Sequence, residues 1–194
     1  MKQSLLRKIV YSNIFLTVNR SILSLFYDSK YLKGKFFEEQ RYGIVWAWKG
    51  VLRSLYLRRR GIVWPISSRC RLASGKNMRV CPSSLNIFQQ PGCYFQNYRG
   101  KITIGENVWI AQNVGLITEN HDPYDPDKHL DAKDITIGDG CWIGMNAVIL
   151  PGVKLGNGTI VGAGAIVTHS FEGHCIIVGN PAKLLKHLKG CSIN

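Results

Sequence analysis

From residue 137 onward the apolar positions fall on a six-residue beat, "IGDGCW", "IGMNAV", "ILPGVK", "LGNGTI", "VGAGAI", "VTHSFE". Ile137, Ile143, Ile149, Leu155, Val161 and Val167 stand six apart without a slip, and upstream Ile104, Ile110 and Leu116 keep the same step. Glycine follows the aliphatic residue at 105, 138, 144, 156 and 162. A period of six excludes an ordinary amphipathic helix. It predicts a parallel β-solenoid, in which each hexad is one short strand plus a turn and three hexads close a triangular coil. The aliphatic residue then points into the prism and stacks on its equivalents above and below, so stability comes from adjacent coils. The glycines, with "PG" at 151–152 and "NG" at 157–158, are ordinary turn chemistry for the corners.

Upstream of residue 102 the beat loosens. Leu72 and Met78 keep the step, but "SSLNIFQQPGCYFQNYRG" does not parse, which predicts coils with irregular corners. Residues 1–64 lie outside the repeat and read as a basic, largely helical region, with a helix over "LRSLYLRRRG" ending at Gly61. The solenoid is expected over 65–180, and 181–194 as a short C-terminal helix or tail. Between Leu116 and Ile137 the step is 21 residues, three hexads plus three, so the chain must leave the prism and return. That excursion includes residues 119–134, "ENHDPYDPDKHLDAKD", where Pro123, Pro126 and the aspartates cannot continue a buried strand. A polar loop on a rigid scaffold is where function tends to sit.

Composition adds limits. The chain of 194 residues is 45% apolar, enough for one sizeable core with a small appendage. Its longest apolar segment, "YGIVWAWKGVL", is cut by Lys49, so no transmembrane helix is expected. Ser12, Asn13, Asn19 and Arg20 break the apolar stretch after Lys2, Arg7 and Lys8, and no small-residue cleavage site follows, which argues against a secretory signal. The six cysteines form no C-x-x-C pair and read as reduced thiols of a cytoplasmic protein. The net charge of +13 is concentrated: residues 1–60 carry thirteen Lys/Arg against three acids. No nucleic-acid-reading motif accompanies it, so no nucleic-acid partner is expected. Leu5, Leu6, Ile9 and Val10, then Ile14, Val18 and Ile22, recur at helical spacing beside those cations. The pattern suits peripheral contact with an anionic membrane, at the inner face of the cytoplasmic membrane. It suits equally a helix packed on the protein's own core or on a sister subunit.

The repeats, together with "NHDPYDPDKH", "CWIGMNAVILPGV" and "VGNPAK", resemble the hexapeptide-repeat acyltransferases with a left-handed β-helix. Within that family the chain is most similar to the O-acetyltransferases of bacterial surface polysaccharides, akin to colanic-acid, maltose and galactoside acetyltransferases. The resemblance covers residues 66–187 and is strongest from 102 onward. It implies a left-handed coil, which the periodicity does not show. It also implies a homotrimer with sites between subunits, acetyl-CoA as co-substrate and no metal. His121 stands where the family has its catalytic base. An imidazole, with an ordinary pKa of about 6.5, can take the proton of a sugar hydroxyl as the oxygen attacks a thioester, then protonate the departing thiolate. The group orienting His121 stays open: Glu119, two residues back, points the same way in an extended chain, adjacent Asp122 points the other way, and a backbone carbonyl could serve. His129 matches nothing comparable and reads as a loop residue. A metal set of His121, Asp122, Asp125, Asp127 and His129 is possible by ligand type, but the prolines would splay those side chains.

On the donor side the resemblance places Trp142 at the reacting end, Met145 where a backbone N–H meets the thioester oxygen, and Ala163 and Thr168 along the pantetheine arm. Lys183 and Lys186 match basic residues near the nucleotide phosphates. Small residues suit an extended arm and cations suit phosphates, although Ala163 also reads as a corner residue, the lysines as a solvated face and Trp142 as plain packing. Two departures stand out: Thr168 is followed by His169 where the family has lysine, and the asparagine–aspartate pair that positions sugar in the maltose-type enzymes has no clean counterpart. Tyr94, Gln96, Asn97 and Tyr98, with Asn113, are the candidates for acceptor binding. The expected activity is acetyl-CoA-dependent O-acetylation of a sugar hydroxyl in cell-surface polysaccharide biosynthesis, on a glycan or a lipid-linked or nucleotide sugar. N-acetylation of a nucleotide-linked amino sugar, acetylation of a xenobiotic, a non-catalytic solenoid scaffold, and a membrane-surface adaptor working through residues 1–60 are the alternatives.

Overall fold

In three dimensions the six-residue beat becomes three flat sheets. The structure, a computed structural model, describes Lys8 and residues 10–188. Leu5, Leu6 and Ile9 of the expected N-terminal helix lie outside the described residues. One face of the prism holds β1 (Arg71–Leu72), β3 (Tyr94–Gln96), β6 (Gly115–Ile117), β9 (Val148–Ile149) and β12 (Ile166–Val167). The second holds β2 (Met78–Val80), β4 (Ile102–Ile104), β7 (Ile135–Ile137) and β10 (Lys154–Leu155). The third holds β5 (Trp109–Ile110), β8 (Trp142–Ile143), β11 (Ile160–Val161) and β13 (Cys175–Val178). All these neighbours pair in parallel, and the register stacks like on like: Leu72, Phe95, Leu116, Ile149 and Val167 on the first face. Ile110, Ile143, Val161 and Ile177 stack on the third. These side chains are almost wholly withdrawn from water, and burying each contributes about 1.5–3 kcal/mol.

The corners explain the small residues. The third residue after a ladder aliphatic turns left-handed, with φ of 51° at Asn107, 64° at Gly140 and 60° at Asn146, a conformation that glycine and asparagine tolerate best. The glycine directly after the aliphatic has another cause. A Cβ on Gly144 would lie 2.6 Å from the amide nitrogen of Ala163 in the next coil, so coil spacing leaves no room for a side chain.

Three expectations change. On the second face Val80, not Met78, stands in line with Ile104, Ile137 and Leu155, because β2 pairs one residue pair further along; Met78 is buried opposite Ile102. In the first coil the 3-10 helix Pro82–Gln89 replaces a strand, with Leu85, Ile87 and Phe88 fully buried. The expected C-terminal helix is instead β14 (Lys183–His187), antiparallel to β13. The physical reason is the outer edge of β13, whose unpaired backbone groups are covered by the returning chain.

Among the described residues ahead of the prism the main elements are helical: α1 (Asn13–Leu23) and α2 (Tyr42–Leu57), followed by the 3-10 turn Arg58–Arg60 and the left-handed Gly61 (φ 76°). The Ser12 hydroxyl accepts the Phe15 N–H at 3.1 Å and caps α1. An aromatic chain from Tyr31 through Trp64 and Phe88 to Phe95, with centroids 5.2, 5.3 and 5.6 Å apart, runs from this region into the prism. The boundary at 64/65 therefore changes secondary structure but not core, since the buried residues of both parts form one cluster.

Candidate active site

The excursion between β6 and β7 is lashed to the scaffold at its root. The Gln96 side-chain oxygen accepts the backbone N–H groups of Thr118 (3.0 Å) and Glu119 (3.2 Å), and its amide donates to the Glu119 carboxylate at 3.3 Å. Glu119, with a side chain only 3% exposed, pairs with Arg99 through Nε at 2.5 Å. Arg99 Nη2 also donates to the carbonyl of Leu130, at 3.2 Å, so one guanidinium holds both arms of the loop. Beyond that root the loop is a small antiparallel hairpin: the Leu130 N–H donates to Asn120 O and the Asp122 N–H to Lys128 O, each at 2.9 Å. Asp125 and Lys128 close the turn with a backbone bond and an ion pair, both 2.9 Å.

This pairing sets His121 opposite His129, with ring centroids 4.2 Å apart and planes inclined by 37°. His121 Nδ1 lies 2.6 Å from the carbonyl oxygen of Pro126. A carbonyl can only accept, so Nδ1 carries a proton, and in the neutral imidazole the lone pair is then on Nε2. The hydrogen-bond partner of the ring is thus a backbone carbonyl. Both candidate carboxylates have other partners: Glu119 is engaged by Arg99 and Gln96, and Asp122 accepts the Tyr124 N–H at 2.8 Å within its own turn. His129, read as a loop residue, lies in that loop with its ring against that of His121. Among the described residues no three His, Cys, Asp or Glu side chains converge as a metal site.

Both imidazoles face a cavity of about 530 Å³ lined also by Tyr94, Gln96, Tyr98, Arg99 and Glu119. Burial pushes the Tyr94 phenol above its ordinary pKa, with Tyr98 adding to the shift and Arg71 opposing it, so Tyr94 is a neutral donor over the physiological range. Of the acceptor candidates, Tyr94, Gln96 and Tyr98 line this space. Asn97 does not: it is wholly buried, and its side chain binds the N–H (2.9 Å) and C=O (2.8 Å) of Ser74, stitching two coils together. Asn113 does not line it either; it is a left-handed corner residue (φ 58°) between the third and first faces.

On the other side of the hairpin a cavity of about 300 Å³ is lined by Asn120, Leu130, Lys133, Leu150 and Thr168, among others. Thr168 therefore stands beside the histidine-bearing loop. The remaining donor candidates occupy other edges. Exposed Trp142 stacks in register with exposed Trp109 on the third face. Met145 and Ala163 lie at the next corner, where the Met145 carbonyl accepts the Gly164 N–H at 2.8 Å. Lys183 and Lys186 project from β14. One chain thus brings His121 together with Tyr94, Gln96 and Tyr98 of the acceptor candidates, and not with Asn97, Asn113, Trp142, Met145, Ala163 or the lysines, while Thr168 lines the separate cavity beside the hairpin. Arg99 was not singled out by the sequence, and His129 was read there only as a loop residue, without its pairing to His121.

Residues 134–169 match the family model described as "Bacterial transferase hexapeptide (six repeats)". Over 87 residues the chain is 37% identical to the Escherichia coli protein named "Putative colanic acid biosynthesis acetyltransferase WcaF", covering 45% of this chain and 48% of that one. The chain spans about half the length of the relatives it matches. Two solved structures share its fold: a maltose O-acetyltransferase of Clostridium difficile (24% identity, 91% and 90% of the chains, TM-score 0.51) and a hexapeptide-repeat acetyltransferase of Vibrio cholerae solved with acetyl-CoA (21%, 91% and 88%, 0.53). The chain therefore carries bacterial transferase hexapeptide repeats over residues 134–169, within a mainly β, left-handed β-helix fold shared with these two structures.

Proposed function

We propose that the protein is an acetyl-CoA-dependent O-acetyltransferase acting on a sugar hydroxyl in cell-surface polysaccharide synthesis, with His121 as general base. The observation that carries this reading is the 2.6 Å contact of His121 Nδ1 with Pro126 O, which leaves the basic Nε2 for a hydroxyl in the cavity shared with Tyr94 and Tyr98. Nε2 takes the hydroxyl proton as the oxygen attacks the thioester carbonyl, and the imidazolium then gives it to the departing thiolate. The faces and hydroxyls of Tyr94 and Tyr98 suit a sugar's alternating apolar and hydroxyl surfaces. The donor groove belongs to a neighbouring protomer of a homotrimer: its Trp142, Met145 and the small Gly162–Gly164 corner accommodate the pantetheine arm, and Lys183 and Lys186 the phosphates. The separation of these residues from His121 within one chain supports that arrangement.

The test is incubation with acetyl-CoA and a panel of oligosaccharides, lipid-linked sugars, amino-sugar nucleotides and xenobiotics, read by mass spectrometry. An acetyl group on a sugar that mild alkali removes is the expected ester. An alkali-stable amide on an amino sugar would replace O- by N-acetylation, and the absence of both transfer and acetyl-CoA binding would leave a scaffold.

A further inference from the structure

The outer surface of the two N-terminal helices is apolar where a solvated helix would be polar. On α1 the buried residues are Leu16 and Leu23, while Ile14 (78% exposed) and Val18 (52%) lie on the opposite side. On α2 the buried face is Gly43, Ile44, Ala47, Ser54 and Leu57, while Val45, Leu52 (86%) and Leu55 are exposed. These two stripes form one surface. The helices lie side by side and run the same way: Arg41 Nη2 reaches Tyr11 O (3.4 Å) at their beginnings, Trp48 Nε1 donates to Asn19 Oδ1 (2.7 Å) midway, and Arg58 Nη1 reaches Leu25 O (3.3 Å) at their ends. An exposed contiguous patch of this kind marks an interaction surface.

We infer that this face docks the protein on an anionic lipid bilayer. Charge complementarity selects the occupant. The surface belongs to the segment with thirteen Lys/Arg and three acids, and Lys49, Arg58 and Arg59 are exposed on the apolar stripe's own helix and at its end. A second copy of the chain seated here would bring two such cationic surfaces together. A bilayer with acidic headgroups offers the opposite charge and a place for the apolar side chains just below it. Trp48, half exposed with its N–H already satisfied by Asn19, and Tyr56 suit the headgroup level. No helix among the described residues is long and apolar enough to cross a membrane, so the helices lie along the surface. The inference does not depend on the acetyl-transfer reading.

Flotation of the full chain with phosphatidylcholine vesicles, with and without phosphatidylglycerol, tests it. The protein should float with the anionic vesicles and not with the neutral ones, and high salt should release it. Leu52→Glu and, independently, Ile14→Glu should each weaken partition by about tenfold or more, with circular dichroism unchanged. Lys49→Gln and Arg59→Gln should each weaken it by about fivefold. Absence of flotation on anionic vesicles, equal flotation on neutral ones, or normal flotation of both glutamate variants would overturn the inference. So would sedimentation showing that the glutamate variants break a self-association while vesicle binding persists, which would make the face a subunit contact.

Discussion

Arg99→Ala is the most informative perturbation of the loop's root. The Glu119 side chain is 3% exposed and lies 2.5 Å from Arg99 Nε, with Gln96 Nε2 at 3.3 Å as its other side-chain partner. At an effective dielectric near 20 such a pair attracts by about 4 kcal/mol. The arginine side chain is 54% exposed, so solvent screening and its lost freedom reduce the net value to about 2 kcal/mol. Removing the guanidinium also frees the Leu130 arm. The expected thermal midpoint falls by about 4–8 °C for a chain of this size, and acetyl transfer falls by about tenfold or more as the hairpin loosens. The decisive assay is a double-mutant cycle with Glu119→Gln, which keeps a hydrogen-bonding side chain but no charge. In that background Arg99→Ala should cost only about 1 kcal/mol or less in urea unfolding, from the bond to Leu130 that remains to be lost. An equal cost in both backgrounds, or no cost in either, would refute the argument that a buried carboxylate is what Arg99 holds.

Three further predictions follow from the geometry. Gly144→Ala, with its Cβ 2.6 Å from the Ala163 amide nitrogen, should lose about 1–3 kcal/mol in urea unfolding; Gly140→Ala, where φ is 64° but no atom lies within 4 Å, should lose only the left-handed strain of about 1 kcal/mol. His129→Ala should lower kcat by about 2- to 10-fold through the lost ring contact, and His129→Phe should restore most of it. Burial raises the Cys141 thiol to about 11 and the Tyr27 phenol to about 12. A group raised in the folded state contributes stability that is complete below its unfolded pKa, here 9.0 and 10.0. The thermal midpoint should therefore hold up to about pH 9 and fall steadily from there toward pH 12.

The ladder was legible in the chain because a six-residue beat leaves each aliphatic residue one possible direction, into the prism. The hairpin's existence was legible too, since 21 residues between Leu116 and Ile137 break the register. Its internal pairing was not: the prolines suggested splayed side chains, whereas bonds between Asn120 and Leu130 and between Asp122 and Lys128 set His121 against His129. Asn97 looked like a sugar ligand by residue type, but its neighbour in the preceding coil, Ser74, claims its amide. β14 was missed because its residues are all exposed and carry no alternation; only the open edge of β13 explains it. The handedness of the coil came from resemblance, because a period of six is the same in either hand.

The central claim is that His121 Nε2 carries the acceptor's proton. Single-turnover acetyl transfer by His121→Ala, with acetyl-CoA affinity and thermal unfolding measured on the same preparation, tests it most directly. The account predicts transfer slowed by about 10²–10⁴-fold with donor affinity and fold unchanged. Transfer near the unsubstituted rate in that variant would contradict it.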